Sequence, residues 1–411
     1  MFLIPVLIFT FFIVINRYLI TIKKSGYSFF ITPEFQLLIL STFYLIIPSI
    51  LFNSELPKLI DFNQLVIDKL QFNSLYYHLV FLINFILTKR NNPLNLSFQI
   101  NLKKNFNYFI LILLALFSGV ILIEIFYNLY KTNFSVFSQD RVSKYLFYIQ
   151  TKKYIGFVFF SWIIIIWSFV LGFIQKKIWP LVFQFPLVLL ELICSSRYYI
   201  FILIISYLLL YFRKKNTELK LKFVFILFSF FILFSFIRDA NGEVGDNIFL
   251  TLVSSFGEFI NTFNSAGLVY DVNFISKLPL IVYVLQFFIP QPIFVLFFGA
   301  YYNVNDYITS MHNFDFGMGS SILVEGHIFG SIFNFIFPIL ICLIYRILSF
   351  NISKNTFIIY FLFSISIFSI FRGAFLINIG PNFLIYIIVY LVPSLFVFKH
   401  SKNLVSQIEK I

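Results

Sequence analysis

Long apolar runs, separated by short basic segments, recur from one end of this chain to the other. Each run holds roughly 15 to 22 residues, enough for a helix to cross a hydrocarbon core about 30 Å thick. The runs lack the polar–apolar alternation of barrel strands, and in lipid a helix satisfies its own backbone hydrogen bonds. The pattern predicts an all-α, polytopic integral membrane protein. Eleven transmembrane helices are expected, near residues 2–20, 36–52, 74–88, 106–129, 154–174, 178–193, 198–212, 223–237, 331–349, 355–371 and 379–398.

The composition excludes a soluble globule. The chain is 60% hydrophobic and 11% charged, with a mean hydropathy of +0.93, so it lacks the polar surface that a water-exposed fold of this size needs. The net charge of +13 does not indicate nucleic-acid binding, because the basic loops are too short to present a groove-reading element.

The basic residues orient the helices. On the expected topology, 19 Lys and Arg side chains lie on one side and 11 on the other. Cytoplasmic loops retain basic residues, so the N-terminus is predicted outside and the C-terminus inside. Arg17 is expected to snorkel from the first helix towards the inner surface. Three regions follow: eight helices in 1–237, a long outer loop in 238–330, and three helices with a short inner tail in 331–411.

The loop 238–330 holds 8 of the 17 acidic residues and is the place where aqueous chemistry is expected. Within it, residues 278–300 are apolar enough to resemble a twelfth span. Pro290 and Pro292 divide that stretch into halves too short to cross a membrane. We expect a re-entrant or interfacial element, which protein or a wet cavity has to shield.

Three arginines fall at the expected outer membrane–water boundary: Arg197 in a minimal turn, Arg238 after the eighth helix and Arg372 after the tenth. Arg141 lies in the outer loop after the fourth helix. Such residues often snorkel to lipid headgroups. Guanidinium groups also match phosphate and pyrophosphate oxygens bidentately and stay charged when partly desolvated. Their common level suits the pyrophosphate of a lipid carrier.

The order of these motifs resembles the bacterial O-antigen and oligosaccharide-repeat-unit polymerases over roughly residues 135–385. The chain departs from that pattern at Tyr198, where a glycine is common after the Ser-Arg turn, and at His327, where an aromatic residue is common. The motifs that carry the resemblance are Ser195-Ser196-Arg197, Ser255 to Ile260, Phe288-Ile289-Pro290, Gly317 to Ser321 followed by Glu325 and Gly330, and Phe371-Arg372-Gly373.

The resemblance implies a membrane glycosyltransferase in the bacterial inner membrane. It would polymerise undecaprenyl-pyrophosphate-linked repeat units into O-antigen, capsule or exopolysaccharide, alongside a chain-length regulator and a flippase. Arg197, Arg238 and Arg372 are expected to bind the leaving pyrophosphate, and Arg141 to position a substrate. The candidate catalytic bases are Glu258, His312 and Glu325.

No cofactor or nucleic-acid partner is expected, and His312, Asp315, Glu325 and His327 match no regular metal-ligand spacing. Two other functions remain open: a ligase that moves finished glycan to another acceptor, and a transporter or flippase of lipid-linked oligosaccharide. Glu124 and Glu191 lie within spans and need partners there, His78 being one candidate.

Overall fold

Every element in the described part of the chain is a helix. The computed structural model describes residues 3–24, 32–51, 62–88, 104–132, 134, 141–152, 155–194, 198–215, 263, 266–271, 279–286, 288, 289, 291–299, 322–350, 357–373 and 382–397. The α-helices are α1 Leu3–Lys24, α2 Pro33–Ser41, α3 Ile47–Leu51, α4 Gln64–Leu87, α5 Lys104–Lys131, α6 Arg141–Lys152, α7 Ile155–Gln175, α8 Phe185–Cys194, α9 Tyr198–Lys215, α10 Leu280–Leu285, α11 Gln291–Phe298, α12 Ile322–Ile328, α13 Ser331–Phe350, α14 Phe357–Gly373 and α15 Val392–Val397.

Each predicted span that falls on described residues overlaps a described helix. The span expected at 223–237 lies outside the described residues. Among described residues, four helical stretches are long and apolar enough to cross a membrane, and six shorter ones are apolar. The four are Pro33–Ile50, Gln64–Leu87, Phe106–Lys131 and Gly156–Gln175; the six are Leu3–Arg17, Trp179–Cys194, Tyr198–Tyr211, Ser331–Ile347, Ile358–Ile367 and Asn382–Phe396.

One helix boundary differs from the prediction by ten residues, and two helices lie in predicted loops. Helix α4 begins at Gln64, ten residues before the predicted start at 74, because Asn63 caps it by accepting a hydrogen bond from the Leu65 amide. The predicted loop after α5 contains the amphipathic helix α6, and the predicted long loop contains α12.

The apolar stretch 278–300 forms two short helices, as its prolines predict. Helix α10 has 6 residues and α11 has 8, which correspond to lengths of about 9 and 12 Å. Neither length crosses a hydrocarbon core of about 30 Å.

One side of α5 is apolar and exposed along its whole length, as expected of a helix that faces lipid tails. Its exposed residues recur every three or four positions, so they form one continuous face. In water, an apolar face of that length would promote aggregation. The face comprises Tyr108, Ile112, Leu116, Val120, Ile123, Tyr127 and Tyr130.

The chain divides into two compact units. Unit 1 contains Met1–Pro93, Asn216–Ile352 and Ile359–Leu384; unit 2 contains Leu94–Lys215, Ser353–Ile358 and Ile385–Ile411. The long loop therefore belongs to unit 1, and the turn at Arg197 belongs to unit 2.

In unit 1, a buried histidine joins three helices. His78 of α4 is fully buried; its Nε2 lies 2.9 Å from Thr10 Oγ1 of α1, and its Nδ1 lies 2.8 Å from Ser41 Oγ of α2. The neutral imidazole donates to one of these hydroxyls. The hydroxyls in turn donate to the carbonyls of their own helices, Thr10 to Val6 and Ser41 to Leu38. His78 is therefore not the partner of Glu124 or Glu191. Those carboxylates accept hydrogen bonds from Asn128 and Tyr148.

Arg17 of α1 binds the C-terminal end of α4. Its guanidinium donates to the backbone carbonyls of Phe85 and Thr88, the second at 2.6 Å, and lies 4.4 Å from the centroid of the Phe85 ring. The last carbonyls of a helix lack intrahelical partners. Arg17 thus caps the C-terminal end of α4 and ties it to α1.

In unit 2, two irregular helical turns are likewise connected to neighbouring helices by side-chain hydrogen bonds. The 3-10 turn Trp179–Gln184 leaves the Phe183 carbonyl free to accept from Ser118 Oγ at 2.8 Å. The π-helical turn Tyr386–Leu391 leaves the Val389 carbonyl free to accept from Trp167 Nε1 at 2.9 Å. Each irregular turn is thereby fixed to a neighbouring helix.

Helix α7 ends in a left-handed residue that is not glycine. Lys176 has φ of 53°, and the Lys177 amide donates to the Gly172 carbonyl at 3.0 Å, which is the hydrogen bond of a Schellman motif. Glycine is the usual residue there because a Cβ is strained at positive φ. The position falls in an expected inner loop, where a lysine supports the topology.

We predict that Lys176→Gly stabilises the protein by about 1 kcal/mol, because the strain at positive φ disappears. The measurement is thermal unfolding of the purified protein in detergent. Lys177→Gly is the matched control, since it removes the same charge at the neighbouring residue. Equal shifts for the two variants would contradict the prediction.

Candidate functional site

The predicted site residues fall unevenly on the structure. Arg197, Arg238, Glu258 and His312 lie outside the described residues. Arg141 is the first residue of α6 in unit 2, and Arg372 is the penultimate residue of α14 in unit 1. Glu325 is the one predicted site residue with a described side chain.

Glu325 lies on α12, a helix that is buried almost throughout. Its side chain has 0% exposure, as do Ile322, Leu323 and Val324 on the preceding turn. A carboxylate in such a place needs polar neighbours, because burying an isolated charge is costly. Tyr77 of α4 lies within electrostatic range of Glu325.

Gly326 allows α12 to approach α4 and α13 closely. A Cβ at this position would lie 1.9 Å from Tyr77 Oη and 2.5 Å from Asn334 Oδ1, both far inside van der Waals contact. The Tyr77 hydroxyl donates to Asn334 Oδ1 at 2.8 Å. The backbone of α12 therefore sits directly against this hydrogen bond.

Tyr270, from the long loop, completes the arrangement. Its hydroxyl accepts a hydrogen bond from Asn73 Nδ2 at 2.8 Å and interacts with the side chain of Asn334. Burial raises the pKa of Tyr270 above its ordinary value, so the phenol stays protonated. The α12 polar cluster thus contains Asn73, Tyr77, Tyr270, Glu325, His327 and Asn334.

His327 lies at the position where the polymerase motif commonly has an aromatic residue. Its ring stacks on Tyr270 with a centroid distance of 4.0 Å and an interplanar angle of 21°. Burial, followed by the charge of Lys69, lowers the pKa of His327 to about 4. The imidazole is therefore neutral at neutral pH, and among the described residues its buried Nε2 has no hydrogen-bond partner.

A second polar cluster lies in unit 2, and sequence reasoning missed it. Tyr148 of α6 donates to Glu191 Oε1 at 2.7 Å and accepts from the Lys152 ammonium. That ammonium lies 4.0 Å from the Tyr148 ring centroid, 4.6 Å from that of Tyr199 and 5.7 Å from that of Tyr198. We call these five residues the α6 polar cluster.

Burial lowers the pKa of Lys152 to about 8, and the charge of Glu191 opposes that shift. The amine therefore stays protonated at neutral pH and acts as a cation among the tyrosine rings.

The sequence spacing of the residues in both polar clusters is compatible with a shared helix face, but it does not show that this face is buried. Tyr148 and Lys152 are four residues apart, as are Asn73 and Tyr77, so each pair shares a helix face. Which faces turn inwards depends on packing. Across the described part of the chain, no three His, Cys, Asp or Glu side chains come together as a metal site would require.

We predict that Gly326→Ala costs about 1 to 3 kcal/mol, because the added methyl overlaps the Tyr77–Asn334 hydrogen bond. The combination with Tyr77→Phe should cost less than the sum of the single changes, since the phenylalanine lacks the oxygen that clashes. Thermal unfolding in detergent measures both.

Gly119→Ala is the matched control for this prediction, because a Cβ at Gly119 meets nothing within 4 Å. That variant should be neutral or slightly stabilising. A strictly additive double variant would show that the Tyr77 hydroxyl is not what Gly326 accommodates.

We also predict a pH dependence at His327. The folded-state pKa is about 4 and the ordinary value is 6.5, so between these values the unfolded chain binds more protons. Stability should fall as the pH drops through this interval. His327→Phe retains a flat ring against Tyr270 and should show a weaker loss in the same thermal scans. Parallel curves for the two proteins would contradict this account.

Comparison with known proteins adds no relative: no protein-family model, no curated protein and no solved structure matches this chain. The functional assignment therefore depends on the sequence motifs and on the geometry of the two polar clusters. The described structure is a helical protein with several apolar helices of membrane-spanning character.

Proposed function

We propose that this protein is a membrane glycosyltransferase that polymerises lipid-pyrophosphate-linked oligosaccharide units on the outer face of a bacterial cytoplasmic membrane. The observation that best supports this proposal is the close packing of Gly326 against Tyr77 and Asn334. It anchors the motif segment around Glu325, which resembles the polymerases, inside a helical unit. A loop that merely connected two spans would not need a glycine wedged against a buried hydrogen bond.

The proposed reaction joins an acceptor sugar hydroxyl to the anomeric carbon of the donor glycan. The bond between that carbon and the phosphate oxygen breaks, and its electron pair leaves with the lipid pyrophosphate. A base takes the hydroxyl proton, and cationic groups stabilise the charge on the leaving group. Because the donor is already activated by its pyrophosphate, the reaction needs no nucleotide.

We assign Glu325 a positioning role in this reaction. With no exposed surface, its carboxylate is out of reach of a substrate hydroxyl in this conformation. It lies next to Gly326, which packs against Tyr77, and within electrostatic range of that tyrosine, so its role is to help fix the chain that leads into the site. The base is then Glu258 or His312, and Arg197, Arg238 and Arg372 bind the pyrophosphate, with Arg141 positioning a substrate.

The proposal also implies partners. A flippase has to deliver the lipid-linked unit to the outer face, and a chain-length regulator acts on the growing polymer. A ligase would share the substrate class and differ in the acceptor that it uses.

A transporter of lipid-linked oligosaccharide is the second candidate, and the α6 polar cluster favours it. Buried ionisable residues in membrane proteins often mark ion or substrate pathways. Lys152 and Glu191, bridged by Tyr148, are such a pair.

We predict that deleting the gene reduces surface glycan from a ladder of lengths to a single repeat unit, as read on a gel. Wild-type protein restores the ladder, and Arg197→Ala should not, because the leaving pyrophosphate loses a cation. Glu325→Gln should restore a shortened ladder, since the amide keeps the shape of the side chain. Lys177→Ala, an exposed lysine in an expected inner loop, is the control and should restore the full ladder.

The other functions give different patterns. Loss of a flippase leaves no glycan at the surface, and loss of a ligase leaves full-length polymer on the lipid carrier. A full surface ladder in the deletion strain would refute the polymerase. A well-folded Glu325→Gln protein as inactive as the Arg197 variant would identify Glu325 as the base.

A further inference from the structure

The buried face of α6 carries more positive than negative charge. Lys144 is 8% exposed, Lys152 is partly buried, and both ammonium groups lie within electrostatic range of Cys194 at the end of α8. Glu191, at 0% exposure, supplies one carboxylate to this region. Buried charge is stable when it is balanced, so an excess cation favours an anionic ligand.

The geometry of Lys152 leaves room for such a ligand. An ammonium group has three N–H donors. Within the described part of the chain, Lys152 gives one of them to Tyr148 and reaches Glu191 through that hydroxyl. The carboxylate thus offsets the charge of the ammonium without occupying its remaining donors.

The three polar residues of α6 present one surface. Lys144, Tyr148 and Lys152 are spaced four residues apart, which places them along one side of the helix. Tyr198 and Tyr199 of α9 bring their rings to the far end of that side. Together they place a cation over aromatic faces, and an ammonium held in this way can donate to phosphate oxygens.

We propose that Lys144 and Lys152 bind a phosphate or pyrophosphate group, with Tyr148 holding the Lys152 ammonium and Glu191 as its resident counter-ion. This deepens the proposed function, and rests on it, in taking the pyrophosphate of a lipid-linked repeat unit as the occupant. Binding redirects the free N–H groups of Lys152 to phosphate oxygens while Tyr148 keeps the ammonium in place. No covalent change is involved.

The test is equilibrium binding of farnesyl diphosphate to the purified full-length protein in detergent, with farnesol and inorganic pyrophosphate in parallel. Lys152→Met should weaken diphosphate binding by roughly tenfold or more, and Lys152→Arg should keep affinity within about threefold. Glu191→Gln should tighten binding several-fold, because it removes the opposing charge. Lys177→Met is the charge-matched control and should bind as wild type does.

The effect of pH separates binding from a purely structural role. Among the described residues, the titratable groups near Lys152 are Tyr148 on its own helix, Glu191 and Cys194 on α8, and Tyr198 and Tyr199 on α9; Lys144 acts on the same Cys194. Because the pKa of Lys152 is about 8, wild-type affinity should fall as the pH rises through that value. Lys152→Arg, which stays charged, should lose less affinity over the same range.

The outcomes distinguish the source of the anion. Preference for farnesyl diphosphate over inorganic pyrophosphate identifies a lipid headgroup, and equal Lys152-dependent binding of both identifies the diphosphate group alone. Both support the site. Failure of wild type to bind either, or affinity unchanged in a Lys152→Met protein with a normal thermal transition, overturns it. If Glu191→Gln does not fold, Tyr148→Phe replaces it and should weaken binding by releasing the ammonium.

Failure of the site and failure of the polymerase remain separate. Normal diphosphate binding by Lys152→Met, together with loss of the glycan ladder on gene deletion, would refute the site and leave the polymerase. Lys152-dependent binding in a protein whose deletion leaves the ladder intact would refute the polymerase and leave the site.

Discussion

Every polar group inside an apolar medium has to find a partner within the protein, and this constraint shapes both units. It makes the described chain helical, since a helix satisfies its own backbone. It then acts on side chains: both ring nitrogens of His78 lie within hydrogen-bond distance of hydroxyls on α1 and α2, and Arg17 uses its guanidinium on the end of α4. Packing follows from these pairings, because each one fixes the depth at which two helices meet.

Irregular backbone obeys the same rule. The 3-10 turn before α8 and the π-helical turn before α15 free carbonyl groups, and Ser118 and Trp167 take them up. Gly326 is the converse case, since a missing side chain lets a helix backbone press against the Tyr77–Asn334 hydrogen bond. Irregular turns of this kind would weaken a helix in water. In this protein they are the positions at which neighbouring helices are hydrogen-bonded or closely packed.

The two polar clusters differ in the charge of their side chains. The α12 polar cluster holds neutral donors and acceptors around a buried carboxylate, and its histidine stays uncharged because burial opposes protonation. The α6 polar cluster holds one cation, Lys152, among tyrosine rings, with the Glu191 carboxylate as counter-ion. On our proposal, the first fixes the chain that leads into the site, and the second holds the anionic headgroup.

The sequence alone determined the class of fold and most helix positions, because the length and apolar character of a run decide whether a helix is stable in lipid. The sequence also identified Glu325 as a candidate site residue, and its prolines predicted that residues 278–300 form two short segments. Tertiary structure decided which helix faces meet. The roles of Asn73 and Tyr77 emerge only where the fold brings Tyr270 and Asn334 to them. Lys152 looks like a loop lysine until Tyr148 and Glu191 lie beside it. Partner choice arises from contacts between residues as much as 259 positions apart, as for Tyr76 and Phe335, and no local pattern encodes that proximity.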